Sequence, residues 1–224
     1  MNENSEWVTV HDAACTNTDS DSCVDVVINT TPICPNMSNR QFTEAVVRAR
    51  DAAISLIKDR IVAFSRWDIG EQTRAKIYFG RADQEIRGIL AGGLPRLLAA
   101  VQELVPEKIV RWDSGLNRNL TCAVVPDNGS NHAGVCKPDS ANRVIAIYSK
   151  FCSDSLGELF HAAKVKVLIH ECTHYTDTFN SEDIAYGDTE MGMRIFAMQN
   201  PDRAIRNADS LTGYIATFDR IVIQ

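Results

Sequence analysis

At 224 residues the chain is long enough to bury a sizeable core within one domain. Its 45% hydrophobic and 23% charged residues are ordinary for a globular protein and exclude wholesale disorder. A net charge of −6 without a Lys/Arg cluster argues against nucleic-acid binding, and no apolar run approaches the length of a membrane span.

Residues 1–37 are rich in Asn, Asp, Ser and Thr and hold three cysteines, with a short strand expected at Val24 to Ile28. They read as an N-terminal extension or linker, leaving 38–224 as the main domain. They lack the basic and apolar regions of a secretory signal. Ser38 and Gln41 fit a capping box. Phe42, Ala45, Val46, Ala49, Ala53, Leu56 and Ile57 then recur at helical spacing, predicting a helix from Ser38 to about Trp67. A second helix is expected over Glu71 to Phe79, closed by Gly80. A third runs from about Asp83, breaks at Gly92-Gly93, and resumes to Leu104 before Pro106.

The pattern then changes. Lys108 to Trp112, Leu120 to Val125 and Arg143 to Tyr148 are short and Val/Ile-rich, which predicts strands. Asp127-Asn128-Gly129 predicts a turn. Helical spacing returns from about Leu156 to Phe179, then over Thr189 to Gln199 and Asp202 to Phe218. The picture is α+β: a mostly helical domain with a small sheet.

Seven cysteines is an odd number, and none forms a CxxC pair, so a thiolate cluster or redox motif is not expected. Cys122 and Cys136 bracket an Asn/Gly/Pro-rich loop that suits a disulfide, as does the group Cys15, Cys23 and Cys34. Burial as small apolar residues is the alternative.

The chemistry concentrates in His170-Glu171-Cys172-Thr173-His174, late in the helix expected from Leu156. Residues i and i+4 share a helix face, so both imidazoles reach one ion. Glu171 stands where it can take a proton from a water held by that ion. Zinc suits such donors and lowers the pKa of bound water. A catalytic zinc needs a third protein ligand. A distal His is absent, because Asp177 and Asn180 fill the Gly and His positions of the longer motif. Asp183 is the favoured carboxylate, with Asp177, Glu182 and Glu190 as rivals. Cys172 is expected to be a buried thiol, and His11, His132 and His161 to be surface or core residues.

The stretch Asn180-Ser181-Glu182-Asp183-Ile184-Ala185-Tyr186-Gly187 resembles the GTxDxxYG signature that follows HExxH in the aspzincins, the deuterolysin and peptidyl-Lys metalloendopeptidase family. Asn180 and Ser181 replace the Gly-Thr pair. The resemblance continues at Ile77 to Gly80, before Cys152, at Pro201 to Ala204 and at Asn207 to Ser210, spanning roughly Cys34 to Phe218. It implies a zincin-type fold with zinc on His170, His174 and Asp183, and Glu171 as general base and then acid. Tyr186 would bond the oxyanion, and Asp209 would shape the pocket after the scissile bond. Lysine-preferring members carry a further acidic residue where this chain has Thr212, so strict lysine specificity is not implied, and a cationic side chain near Asp209 is the preference expected. For Asp209 a helix N-cap is the competing expectation.

The function expected is hydrolysis of internal bonds in a protein or peptide substrate, by a chain secreted or delivered outside the producing cell. Bacterial relatives imply that it can be the toxin or effector domain of a larger protein, with an inhibitor or immunity protein as partner. The rival expectations are a zinc hydrolase acting on cell-wall peptides and a non-catalytic binding module stabilised by zinc.

Overall fold

The computed structural model describes residues 32–115, 117, 120–157, 163–187 and 189–216. The expected Val24 to Ile28 strand, Cys15, Cys23, His11 and His161 lie outside these residues.

Helix α1 (Asn39–Arg66) starts at the predicted capping box, in which Ser38 accepts from the Gln41 backbone and Gln41 returns a bond. Its Phe42, Val46, Ala49, Ala53, Leu56 and Ile57 form one buried stripe. Helix α2 (Ile69–Phe79) is capped by Asp68 and stops at Gly80, whose φ of 73° favours glycine. A Cβ on Gly80 would lie 2.3 Å from the Ala197 carbonyl oxygen, so the residue also permits a close backbone crossing.

Helix α3 (Gln84–Gln102) differs from expectation. It passes through Gly92, Gly93 and Pro95 without a break. The reason is tertiary: a Cβ at Gly93 would meet the Phe179 ring at 2.0 Å. The glycine is a notch that seats an aromatic from the turn after the histidine motif. Packing outweighs a helix penalty of about 1 kcal/mol.

The sheet has three strands, β1 (Ile109–Arg111), β2 (Ala133–Val135) and β3 (Ile145–Ile147), in the order β1-β3-β2. β1 lies parallel to β3 with Ile109 opposite Ile145, and β2 antiparallel with Ala133 opposite Ile147. The expected strand over Leu120 to Val125 does not form. That segment lies largely exposed, and Cys122 is bonded to Cys136 instead of pairing its backbone. The turn at Asp127 does form, with the Gly129 N–H donating to the Asp127 carboxylate at 2.8 Å. Strand β2 was not anticipated, because Ala133-Gly134-Val135 carries little strand propensity.

Helix α4 (Ser149–Ser153) leads to the motif helix α5 (Lys164–His174), shorter at both ends than expected. Before α5, Ser155 pairs with Ala163 in an isolated bridge, and the Lys164 amide bonds to the Ser155 carbonyl at 2.9 Å. After His174, the Thr178 hydroxyl turns back onto the Cys172 carbonyl at 2.7 Å and closes the helix end. Helix α6 (Glu190–Gln199) follows expectation. The single helix expected from Asp202 is instead α7 (Pro201–Ala204) and α8 (Ala208–Ala216), separated by a turn whose Asn207 is clamped to the 182–185 loop. The fold is α+β, as expected. The core lies where α1, α3, α5 and α8 meet, and α5 is buried nearly all round. Among the described residues no helix is long and apolar enough to cross a membrane.

Cys34 bonds to Cys152, 118 residues away, rather than to a neighbour in the N-terminal group. Both observed disulfides suit an oxidising compartment. Cys172 is free and fully buried, as expected.

Candidate active site

Helix α5 carries His170 and His174 one turn apart, with ring centroids 4.9 Å from each other and planes at 77°. The chain reverses through Tyr175–Asn180 and brings Asp183 over both rings. Asp183 Oδ1 lies 3.0 Å from His170 Nε2 and 3.4 Å from His174 Nε2. One ligand atom from each residue falls within 4.8 Å of the others. Of the rival carboxylates, Asp177 is held by Arg143 at 2.7 and 3.2 Å. Glu182 pairs through its backbone with Asn207, and Glu190 lines the cleft without joining the cluster. Cys172 points into the core.

The reversal explains why Asn180 and Ser181 serve where the family signature has Gly-Thr. Asn180 sits at φ 53°, a left-handed conformation that Asn tolerates better than other side-chain-bearing residues. Ser181 supplies a buried hydroxyl. The Thr173 hydroxyl donates to the His170 carbonyl at 2.7 Å, so it accepts from the Ser181 hydroxyl, also 2.7 Å away. His174 Nδ1 then faces two acceptors, the Ser181 carbonyl at 3.1 Å and its hydroxyl oxygen at 3.2 Å, and must carry a proton.

Asp209 does the same for His170. Its Oδ1 is 2.7 Å from His170 Nδ1, and its Oδ2 accepts from the Gly187 amide at 2.8 Å. Asp209 is therefore not the α8 N-cap. It lies in the first turn of α8, and the residue before that helix is Asn207. The buried Asn207 side chain accepts from the Ile184 and Ala185 amides, both at 3.0 Å. It thereby locks the loop that carries Asp183. Sequence reasoning overlooked Ser181 and Asn207 as site-building residues. Only the position of Ser181 within the signature could have flagged it.

With protons fixed on both Nδ1 atoms, the two Nε2 atoms of neutral imidazoles direct lone pairs at a carboxylate oxygen. Such an arrangement requires a cation at its centre. Burial opposes charge on His170, but its bonds to Asp183 and Asp209 push its pKa up to about 10. His174 moves in the same direction: burial opposes charge and the Asp183 bond outweighs it. Burial also disfavours the Asp183 carboxylate, yet the two imidazoles hold it well below the usual carboxylate range. An N₂O donor set with its outer nitrogens already engaged is the chemistry of a zinc site with an open position. The residues fit the metal.

Glu171 is buried beside the cluster, and burial raises its pKa against the pull of the two histidines. Tyr186 stands at the rim, 75% exposed. Partial desolvation, with the Asp183 and Asp209 carboxylates, holds its hydroxyl above the usual phenol range. His170, Glu171, His174, Asp183, Tyr186 and Asp209 line one cleft of about 800 Å³. Its other wall contains His132, which is not a lone residue: its Nδ1 lies 2.6 Å from the Asp154 carboxylate.

The sequence profile of the aspzincins, described as lysine-specific metallo-endopeptidases, matches residues 70–216. No curated protein matches the chain. Among solved structures, a zinc peptidase from Grifola frondosa has a similar fold, with a TM-score of 0.56 at 18% identity. The match covers 77% of this chain and 92% of that one.

Proposed function

The chain belongs to the aspzincin family of zinc metallo-endopeptidases, and from that premise we propose that it cleaves internal peptide bonds with His170, His174 and Asp183 as zinc ligands and Glu171 as proton carrier. The observation that carries this reading is the convergence of two Nε2 atoms and one carboxylate oxygen whose supporting hydrogen bonds leave only a cation to complete them.

Zinc bound there supplies Lewis acidity and brings the pKa of a water towards neutrality. Glu171, with its proton affinity raised by burial, takes the proton of the attacking water and returns it to the leaving amine. Tyr186 donates a hydrogen bond from its hydroxyl to the developing oxyanion as substrate covers the rim, and its raised pKa keeps the proton on the phenol. Asp209 orients His170 and borders the pocket that receives the residue after the scissile bond. Both of its oxygens are already engaged, and next to it Thr212 brings a buried hydroxyl oxygen that has no hydrogen-bond partner among the described residues. A lysine there meets one shared carboxylate and one hydroxyl, so lysine is accepted rather than required. Action outside the producing cell belongs to the same reading and is supported by the two disulfides.

The test is digestion of a mixed peptide library by zinc-loaded protein, read by mass spectrometry. Cleavage is expected from the wild type and a loss of about 10²–10⁴-fold from Glu171→Gln, with zinc content unchanged. A folded, zinc-replete wild type that cuts nothing would overturn the proposal.

A further inference from the structure

The two walls of the cleft carry opposite charge. One, made by the 181–190 loop and the first turn of α8, presents Glu182, Asp183, Glu190 and Asp209. The other, made by β2, α4 and the start of α5, is lined by His132, Lys137, Lys150 and Lys166. In a chain of net charge −6, three lysines on one wall of the active cleft are out of proportion. No carboxylate of the described residues lies within ion-pair distance of Lys137 or Lys150. Among the described residues neither cation holds the fold through an ion pair.

Their backbone is nevertheless held in place. Lys137 follows Cys136 of one disulfide, and its carbonyl accepts from the Thr176 amide in the turn after α5. Lys150 lies two residues before Cys152 of the other. Lys164 ties the base of this wall together, with its ammonium bonded to the Cys152 and Asp154 carbonyls. Asp154 in turn engages Nδ1 of His132 and leaves Nε2 as the ring atom available to a ligand. The braced backbone loses little freedom when a ligand arrives, so the ordering cost that remains is that of the two lysine side chains.

We propose that this wall is a subsite for acidic side chains of the peptide substrate, with Lys137 and Lys150 as specificity-determining residues and His132 as an oriented hydrogen-bond donor or acceptor beside them. The proposal rests on the peptidase reading. It predicts that Asp or Glu within about three residues of the scissile bond, on the side that runs along β2, promotes cleavage. The β2 edge is only three residues long, which sets that reach.

The test uses the full-length zinc-loaded protein and one cleavable parent peptide. At each position flanking the bond, Asp, Ala and Lys versions are compared by kcat/KM. The Asp-over-Ala ratio is expected to reach roughly 3- to 20-fold at one or two positions, all on one side of the bond. It should shrink as salt is added. The ratio should collapse to about one in Lys137→Ala/Lys150→Ala, persist in the double Arg variant and invert in Lys150→Glu. Calorimetric titration of Asp and Ala hexapeptides into the Glu171→Gln protein gives a readout that needs no turnover. If no peptide is cleaved but the Asp peptide binds more tightly, and loses that advantage in the double Ala variant, the wall stands and the peptidase reading falls. Equal cleavage and equal binding of Asp and Ala peptides, or a ratio unchanged in the double Ala variant, would falsify the proposal.

Discussion

The two sides of the cleft are held by different kinds of bond. The carboxylate side is a hydrogen-bonded construction: Asp209 grips His170, Ser181 grips His174, and Asn207 clamps the loop that carries Asp183. The lysine side is braced by two covalent bonds, Cys34–Cys152 and Cys122–Cys136. A site that must adjust proton positions around a metal is built from bonds that respond to protons. A surface that must stay still while presenting unpaired charge is built from bonds that do not.

The comparison breaks most forcefully at the long disulfide. Cys34→Ser/Cys152→Ser opens a loop of 118 residues and should cost about 2–5 kcal/mol in urea unfolding. Zinc binding by the remaining folded protein should persist, because no ligand bond depends on that bridge. The opposite response is expected from Asp209→Asn: zinc affinity falls by roughly 10–100-fold in competition with a chelator, with a small change in melting temperature. If both variants lose zinc equally, the two sides are not independent.

The smallest effect concerns pH. The Arg143 guanidinium bonds to Asp177 and keeps its carboxyl below its ordinary value of 3.8. A carboxylate with a lowered folded pKa contributes stability above its unfolded pKa and loses it as pH falls through the folded one. Asp177→Asn should therefore lower stability at pH 7 by below about 1 kcal/mol, given how exposed the carboxylate is. The loss should shrink as pH is lowered below 3.8 towards the folded value. Urea midpoints at pH 7 and at acidic pH check this, and an equal loss at both would assign the effect to packing.

The same contrast governs what was readable in the sequence. The histidine pair and Asp183 could be placed because their spacing is dictated by one helix and one tight reversal, both local. The capping box of α1 and the Gly80 stop of α2 were legible for the same reason. The break predicted at Gly92-Gly93 failed because the glycine answers to Phe179, far along the chain. Leu120 to Val125 has strand composition, but a strand needs a partner, and the partner of β3 on that side is Ala133–Val135. Cys34 was grouped with its sequence neighbours, whereas its bond spans 118 positions. The second role of Asp209, gripping His170, depends on a meeting of α5 and α8 that no local pattern encodes. His132 looked solitary because Asp154 stands 22 residues away.

Cys172 is the free cysteine among the described residues and sits inside the histidine-motif helix, sealed from solvent, with burial pushing its thiol far above the usual range. Thiol–disulfide exchange requires a thiolate with access to its target. Its sulfur is thus a silent bystander while α5 is folded, and the two bridges are protected from scrambling by it. Once α5 opens, that protection ends and the exposed thiol can attack a bridge. Mispaired isomers that involve Cys172 are therefore a covalent report that α5 has opened, because the sulfur is out of reach while the helix is folded.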